Sequence, residues 1–122
     1  MTSKSELITS DRVRGTRVLS ADGQGVGEID HLVIDKITGK VAYAVMKFGG
    51  FMGLDGDFFP IPWKKLTYDP SREAYVTDVS ESKVKAAPTY EKANLHDRAE
   101  AERIHNHYEV PFYWKEDSPI SL

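Results

Sequence analysis

The chain contains no cysteine, so disulfide frameworks, thiolate zinc sites, iron-sulfur clusters and cysteine nucleophiles are all excluded. It also lacks any long apolar run. The stretch 41–46 ends at Lys47, far short of the roughly 20 residues that a membrane helix needs. Residues 1–10 are polar apart from Leu7-Ile8, which is no signal-peptide core, and Thr2 stands where myristoylation would need glycine. These absences predict a cytoplasmic protein without membrane insertion. Excess positive charge is missing as well, since 16 Lys and Arg face 19 Asp and Glu for a net charge of −3. That balance argues against a strongly cationic nucleic-acid binder.

What is present suits one small domain. At 122 residues, 40% of them apolar, the chain can bury roughly two-thirds of its unfolded surface without a staple. Residues 1–14 read as a polar lead-in. Short extended segments follow at 17–19, 26–35, 41–48, 58–63, 66–69 and 74–79, separated by glycine or proline turns such as Asp22-Gly23 and Asp69-Pro70. In the second segment Ile29 is followed by Leu32 and Ile34, which switches parity once and predicts a bulge. Residues 41–48 are apolar on both faces, so both need cover. Pro60 and Pro62 lack the N–H that a ladder requires and place their segment at an edge. This spacing predicts a mainly β fold, a small antiparallel barrel rather than a parallel sheet.

Beyond residue 80 the character changes. Ser80 can cap a short helix that ends before Pro88. Asp97-Arg98-Ala99-Glu100 has capping-box spacing, and Ala101, Ile104 and Tyr108 follow with helical period, predicting a helix over 97–108. Pro111 ends it. Phe112, Tyr113 and Trp114 are then expected to leave water by docking on the barrel or on another chain.

The order of these features resembles a PRC-barrel domain. The likeness rests on Gly25-x-Gly27-Glu28-Ile29, Leu32-Val33-Ile34-Asp35, Thr38-Gly39-Lys40-Val41, Phe48-Gly49-Gly50-Phe51-Met52-Gly53, Ile61-Pro62-Trp63 and Ala87-Pro88. Residues 107–114 are similar to an extension on stand-alone bacterial members. The resemblance implies a PRC-type barrel over 15–88 with a helical and aromatic extension over 89–122, and a role as an interaction module. It implies no reaction, because its motif consists of turn glycines and core positions. Two relatives suggest alternatives: a ribosome maturation factor, hence an RNA-processing or ribosome-assembly accessory, and the photosynthetic reaction-centre H subunit, hence a cytoplasmic partner of a photosynthetic or redox membrane complex. The first has a separate preceding domain and the second an amino-terminal membrane helix, and neither matches a segment here.

Motifs that suggest chemistry fail on spacing. Gly23, Gly25 and Gly27 precede a strand, not the helix that dinucleotide binding needs, so no cofactor is expected. Asp55 and Asp57 could meet calcium, but Leu66 stands where an EF-hand needs its glutamate. His96, Glu100 and His107 share a helical stripe, while His105 and His107 diverge on a helix, so no metal is expected and the histidines read as surface or capping groups. No nucleophile elbow frames a serine, and the chain is expected not to be an enzyme. Arg12, Arg14, Arg17, Lys64 and Lys65 beside Tyr68 form the one candidate RNA patch. Hydrophobic association is the stronger reading. Its candidate surface is Phe51, Met52, Phe112, Tyr113 and Trp114, and the expected partners are a second copy, as a homodimer, or an unidentified protein.

Overall fold

A computed structural model of the chain describes residues 6–48 and 57–115. Its strands are β1 (Arg17–Leu19), β2 (Gly25–Ile34), β3 (Val41–Phe48), β4 (Phe59–Pro62), β5 (Thr67–Asp69) and β6 (Ala74–Val76). Two α-helices follow, α1 (Glu81–Lys85) and α2 (Arg98–Tyr108), and single 3-10 turns occupy Ser10–Arg12 and Trp63–Lys65. The strands form one six-stranded sheet in the order β4-β3-β2-β1-β6-β5.

Four of its five pairings are antiparallel, but β1 and β6 run parallel, with Val18 opposite Tyr75 and Leu19 opposite Val76. The mainly β fold with a C-terminal helix expected from the sequence is present, and its sheet is mixed through this one pair. The cause lies between β4 and β5. Every other link between successive strands within a ladder reverses the chain, whereas the Trp63–Lys65 turn carries it onward in the same direction. One missing reversal brings β6 back alongside β1 with matching polarity.

Glycine is required at two points of the first hairpins. Gly23 holds φ 93° in the turn after β1, where its N–H donates to the Ser20 carbonyl at 2.9 Å. Gly27 sits where β2 presses on β3, and a Cβ there would lie 2.1 Å from the Lys47 carbonyl oxygen. The parity switch in β2 is real. Register shifts between Ile29 and His31, opposite Met46 and Val45, leaving Asp30 as the extra residue of a bulge.

β3 is the centre of the core. Ala42, Tyr43, Ala44, Val45, Met46 and Phe48 are all buried, and Lys47 alone among its last residues reaches solvent. β4 lies at the sheet edge, as its prolines require, with Pro60 opposite Val45 and Pro62 opposite Tyr43. Helix α2 packs against β4. The lead-in also contributes, because the 3-10 turn at Ser10–Arg12 delivers Val13 into the core beside Val18 and Ile29.

Both helices begin on side-chain caps. Ser80 Oγ accepts from the Lys83 amide at 3.1 Å and Asp97 Oδ1 from the Ala99 amide at 3.1 Å. The capping box at Asp97 is only half made. Its own N–H donates to the Asn94 carbonyl, and Glu100 turns instead to Arg103 at 2.7 Å. Ala101, Ile104, His105 and Tyr108 form the buried stripe of α2, each large apolar member contributing about 1.5–3 kcal/mol by leaving water. Among the described residues, no helix is long and apolar enough to cross a membrane.

Candidate interaction surface

The end of α2 reverses the chain onto itself. Glu109 adopts the left-handed region at φ 61°, its N–H donates to the Asn106 carbonyl at 3.1 Å, and the Val110 N–H reaches the His105 carbonyl at 3.1 Å. Pro111 forbids further helix. Phe112, Tyr113 and Trp114 therefore turn back toward the helix they have just left.

They meet His105. This imidazole is buried, and its Nδ1–H donates to the Ala101 carbonyl one turn earlier at 2.7 Å. Its ring centroid lies 5.4 Å from Tyr43 of β3, 5.8 Å from Phe112, 5.7 Å from Tyr113 and 5.6 Å from Trp114. Tyr43 and Tyr113 also touch edge to face at 6.0 Å. The reading of the histidines as surface or capping groups is corrected here, because His105 is the hub that joins the sheet, α2 and the tail. The buried Tyr43 hydroxyl has no hydrogen-bond partner among the described residues, and burial pushes its pKa well above the ordinary tyrosine value.

The outer layer of this cluster is different. Phe112 and Trp114 stack at 4.8 Å with 19° between their planes, and both remain half-buried. The exposed Arg98 guanidinium lies 3.8 Å from the Trp114 ring, and the exposed Lys115 ammonium 5.6 Å from Phe112. Tyr113, half-buried like the other two, packs edge to face on Tyr43, while Phe112 and Trp114 form the stacked pair. Phe51 and Met52 lie outside the described residues, so the fold brings together three of the five candidate side chains.

The candidate RNA patch does not form a single basic field. Arg14 is taken up by Asp30 at 2.7 Å, Arg17 donates to the Arg72 carbonyl at 3.1 Å, and Lys65 pairs with Asp78 at 2.9 Å. Lys64, Lys65 and Tyr68 do share a shallow groove of about 510 Å³, yet Asp69 and Asp78 line it too. The Lys65 ammonium holds the Asp78 carboxyl below the usual range, and the Ser71 hydroxyl does so for Asp69.

Of the candidate metal stripe, His107 is engaged elsewhere, its Nε2–H donating to the Lys83 carbonyl at 2.8 Å. Among the described residues, no three metal-ligating side chains converge. Asp55 lies outside them.

One polar cluster escaped the sequence. The β2 bulge sets Asp30 beside His31, so that one carboxylate oxygen meets His31 Nδ1 at 2.8 Å while the other takes Arg14. Tyr90 approaches the His31 ring edge-on at 5.2 Å. The parity switch marked the bulge, but nothing in the sequence tied Arg14 or Tyr90 to it.

Comparison with known families matches the chain to the PRC-barrel domain. The model of the PRC-barrel domain covers residues 6–84, from the lead-in through most of α1. No curated protein matches the chain.

Proposed function

The chain belongs to the PRC-barrel domain family, and from that premise we propose that it is a non-catalytic protein-interaction module whose working surface is the outer face of its C-terminal aromatic cluster. One observation carries the reading: a stacked Phe112–Trp114 pair held half in solvent on the buried His105 and Tyr43 and the half-buried Tyr113. Large aromatic side chains fixed on a rigid base give contact area with little further loss of rotamer freedom. Self-association belongs to the same reading. Ile34 and Ile37, exposed by 49% and 87% at the β2–β3 turn, are the apolar positions that a second copy would cover.

The test is affinity purification from the native host with the full chain, its Trp114→Ala variant and its Ile37→Asp variant, each checked for folding by circular dichroism. Loss of a specific partner from Trp114→Ala alone is the expected result. An unchanged partner set would sink the surface assignment. Sedimentation at micromolar concentration should show dimer for the native chain and monomer for Ile37→Asp, and monomer in both would remove the homodimer.

A further inference from the structure

Six of the described cations have a defined acidic partner. Arg14, Lys65, Arg72, Lys83, Lys85 and Arg103 are each within 4 Å of a carboxylate. Arg17 turns to the Arg72 carbonyl and Lys47 to the Phe58 ring, and among the described residues Arg98 and Lys115 have no carboxylate partner either, although the chain carries more acids than bases. Both stand at the aromatic pair instead, Arg98 at Trp114 and Lys115 at Phe112. An apolar floor with an uncompensated cation beside each ring has the chemistry of a receptor for anions that carry hydrocarbon. The ring faces accept flat or apolar groups, and the guanidinium fork accepts a carboxylate through paired N–H donors.

We propose that the Phe112–Trp114 platform receives an acidic peptide segment of a partner protein, with carboxylates meeting Arg98 and Lys115 and a proline or aliphatic side chain lying on the rings. This rests on the interaction reading above and names its occupant. A second copy docking through the same patch about a two-fold axis would bring Arg98 and Lys115 against their own equivalents, and such like-charge contacts are costly. A nucleic-acid strand suits the patch less well, since phosphate recognition draws on many cations and only two are here, on a chain of net charge −3. The extended, pre-ordered backbone of a proline-containing acidic segment fits an aromatic platform at low ordering cost.

The experiment is fluorescence anisotropy with the full chain and three labelled probes: a peptide repeating Glu-Pro-Asp-Leu, the same peptide with Gln and Asn in place of its acids, and single-stranded polyuridylate. The acidic peptide should bind most tightly and weaken with added salt. Arg98→Gln and Lys115→Gln should each reduce its affinity roughly two- to fivefold, as partly exposed charge contacts do, while leaving the circular dichroism unchanged. Arg98→Lys should retain part of the binding. Equal binding of the amide peptide, preference for polyuridylate, no binding of the acidic peptide, or indifference to both charge variants would each overturn the proposal. If purification loses a partner with Trp114→Ala but keeps it with Arg98→Gln and Lys115→Gln, the surface stands and its acidic occupant does not.

Discussion

His105 donates to Ala101 through one edge of its ring and meets Trp114 at 5.6 Å, so a single side chain fastens helix and tail together. Removing it empties a buried site contacted by four aromatic rings. His105→Ala should cost about 2–4 kcal/mol in urea unfolding, in the range of large-to-small core changes. It should also expose Trp114, read as a red shift of fluorescence in a Trp63→Phe background. A loss under 1 kcal/mol with unshifted emission would contradict the hub.

Gly27 and Gly25 offer a matched pair two residues apart on β2. A Cβ at 27 meets Lys47 backbone at 2.1 Å, while one at 25 meets nothing within 4 Å. Gly27→Ala should destabilise by about 3 kcal/mol or more, because backbone cannot step aside as a side chain can. Gly25→Ala should stay within about 0.5 kcal/mol of the native chain. Denaturant midpoints at constant slope make the comparison.

Glu109 occupies a left-handed position that glycine prefers, and among the described residues its ion pair is an exposed one with Lys83 at 3.3 Å. Relief of that backbone conformation is worth about 1 kcal/mol and the exposed pair about 0–1 kcal/mol. Glu109→Gly should therefore be neutral or stabilising by up to about 1 kcal/mol, whereas Glu109→Val should destabilise. Thermal melts distinguish the two.

The phenols of Tyr43 and Tyr108 are buried without hydrogen-bond partners among the described residues, and burial raises both pKa values. A raised folded-state pKa means that the folded chain holds its proton where the unfolded chain has lost it. Stability from these groups is complete below about pH 10 and declines above it. Their tyrosinate absorbance should appear together with unfolding. Tyr108→Phe should be neutral or slightly stabilising at pH 7 and should move alkaline unfolding upward.

At the acid end the sign reverses. Hydrogen bonds from the Ser20 hydroxyl to Asp22, from the Ser71 hydroxyl to Asp69 and from Lys65 to Asp78 lower these carboxyl pKa values. Their contribution is present above about pH 4 and is lost as pH falls through the depressed values. Because Asp22 and Asp78 are exposed and Asp69 is partly so, the loss is shallow. Ser71→Ala should flatten it further, as carboxyl titration followed by NMR would show at Asp69.

Much of the fold was legible because local chemistry decides it. β1 and β3 begin and end where their turn residues say, Pro60 and Pro62 mark an edge strand, and Ser80 and Asp97 start their helices. What the sequence hid depends on partners far along the chain. The polarity of β6 follows from a 3-10 turn that does not reverse direction, and a lone Trp63-Lys64-Lys65 does not announce that. His105 reads as polar until a sheet tyrosine and three tail aromatics enclose it. At the candidate surface the aromatic run was evident, but which ring packs on Tyr43 was not, because Glu109 sets that by a backbone conformation unusual for its residue type.

The parallel alignment of β1 with β6 has a consequence for how the molecule is made. Translation completes β1 early and its neighbour β2 soon after, but the other flank of β1 waits until residues 74–76 leave the ribosome. Throughout that interval the nascent chain displays an open hydrogen-bonding margin beside Val18 and Leu19, inviting association with other chains. Three residues make that margin short, and shortness is its protection.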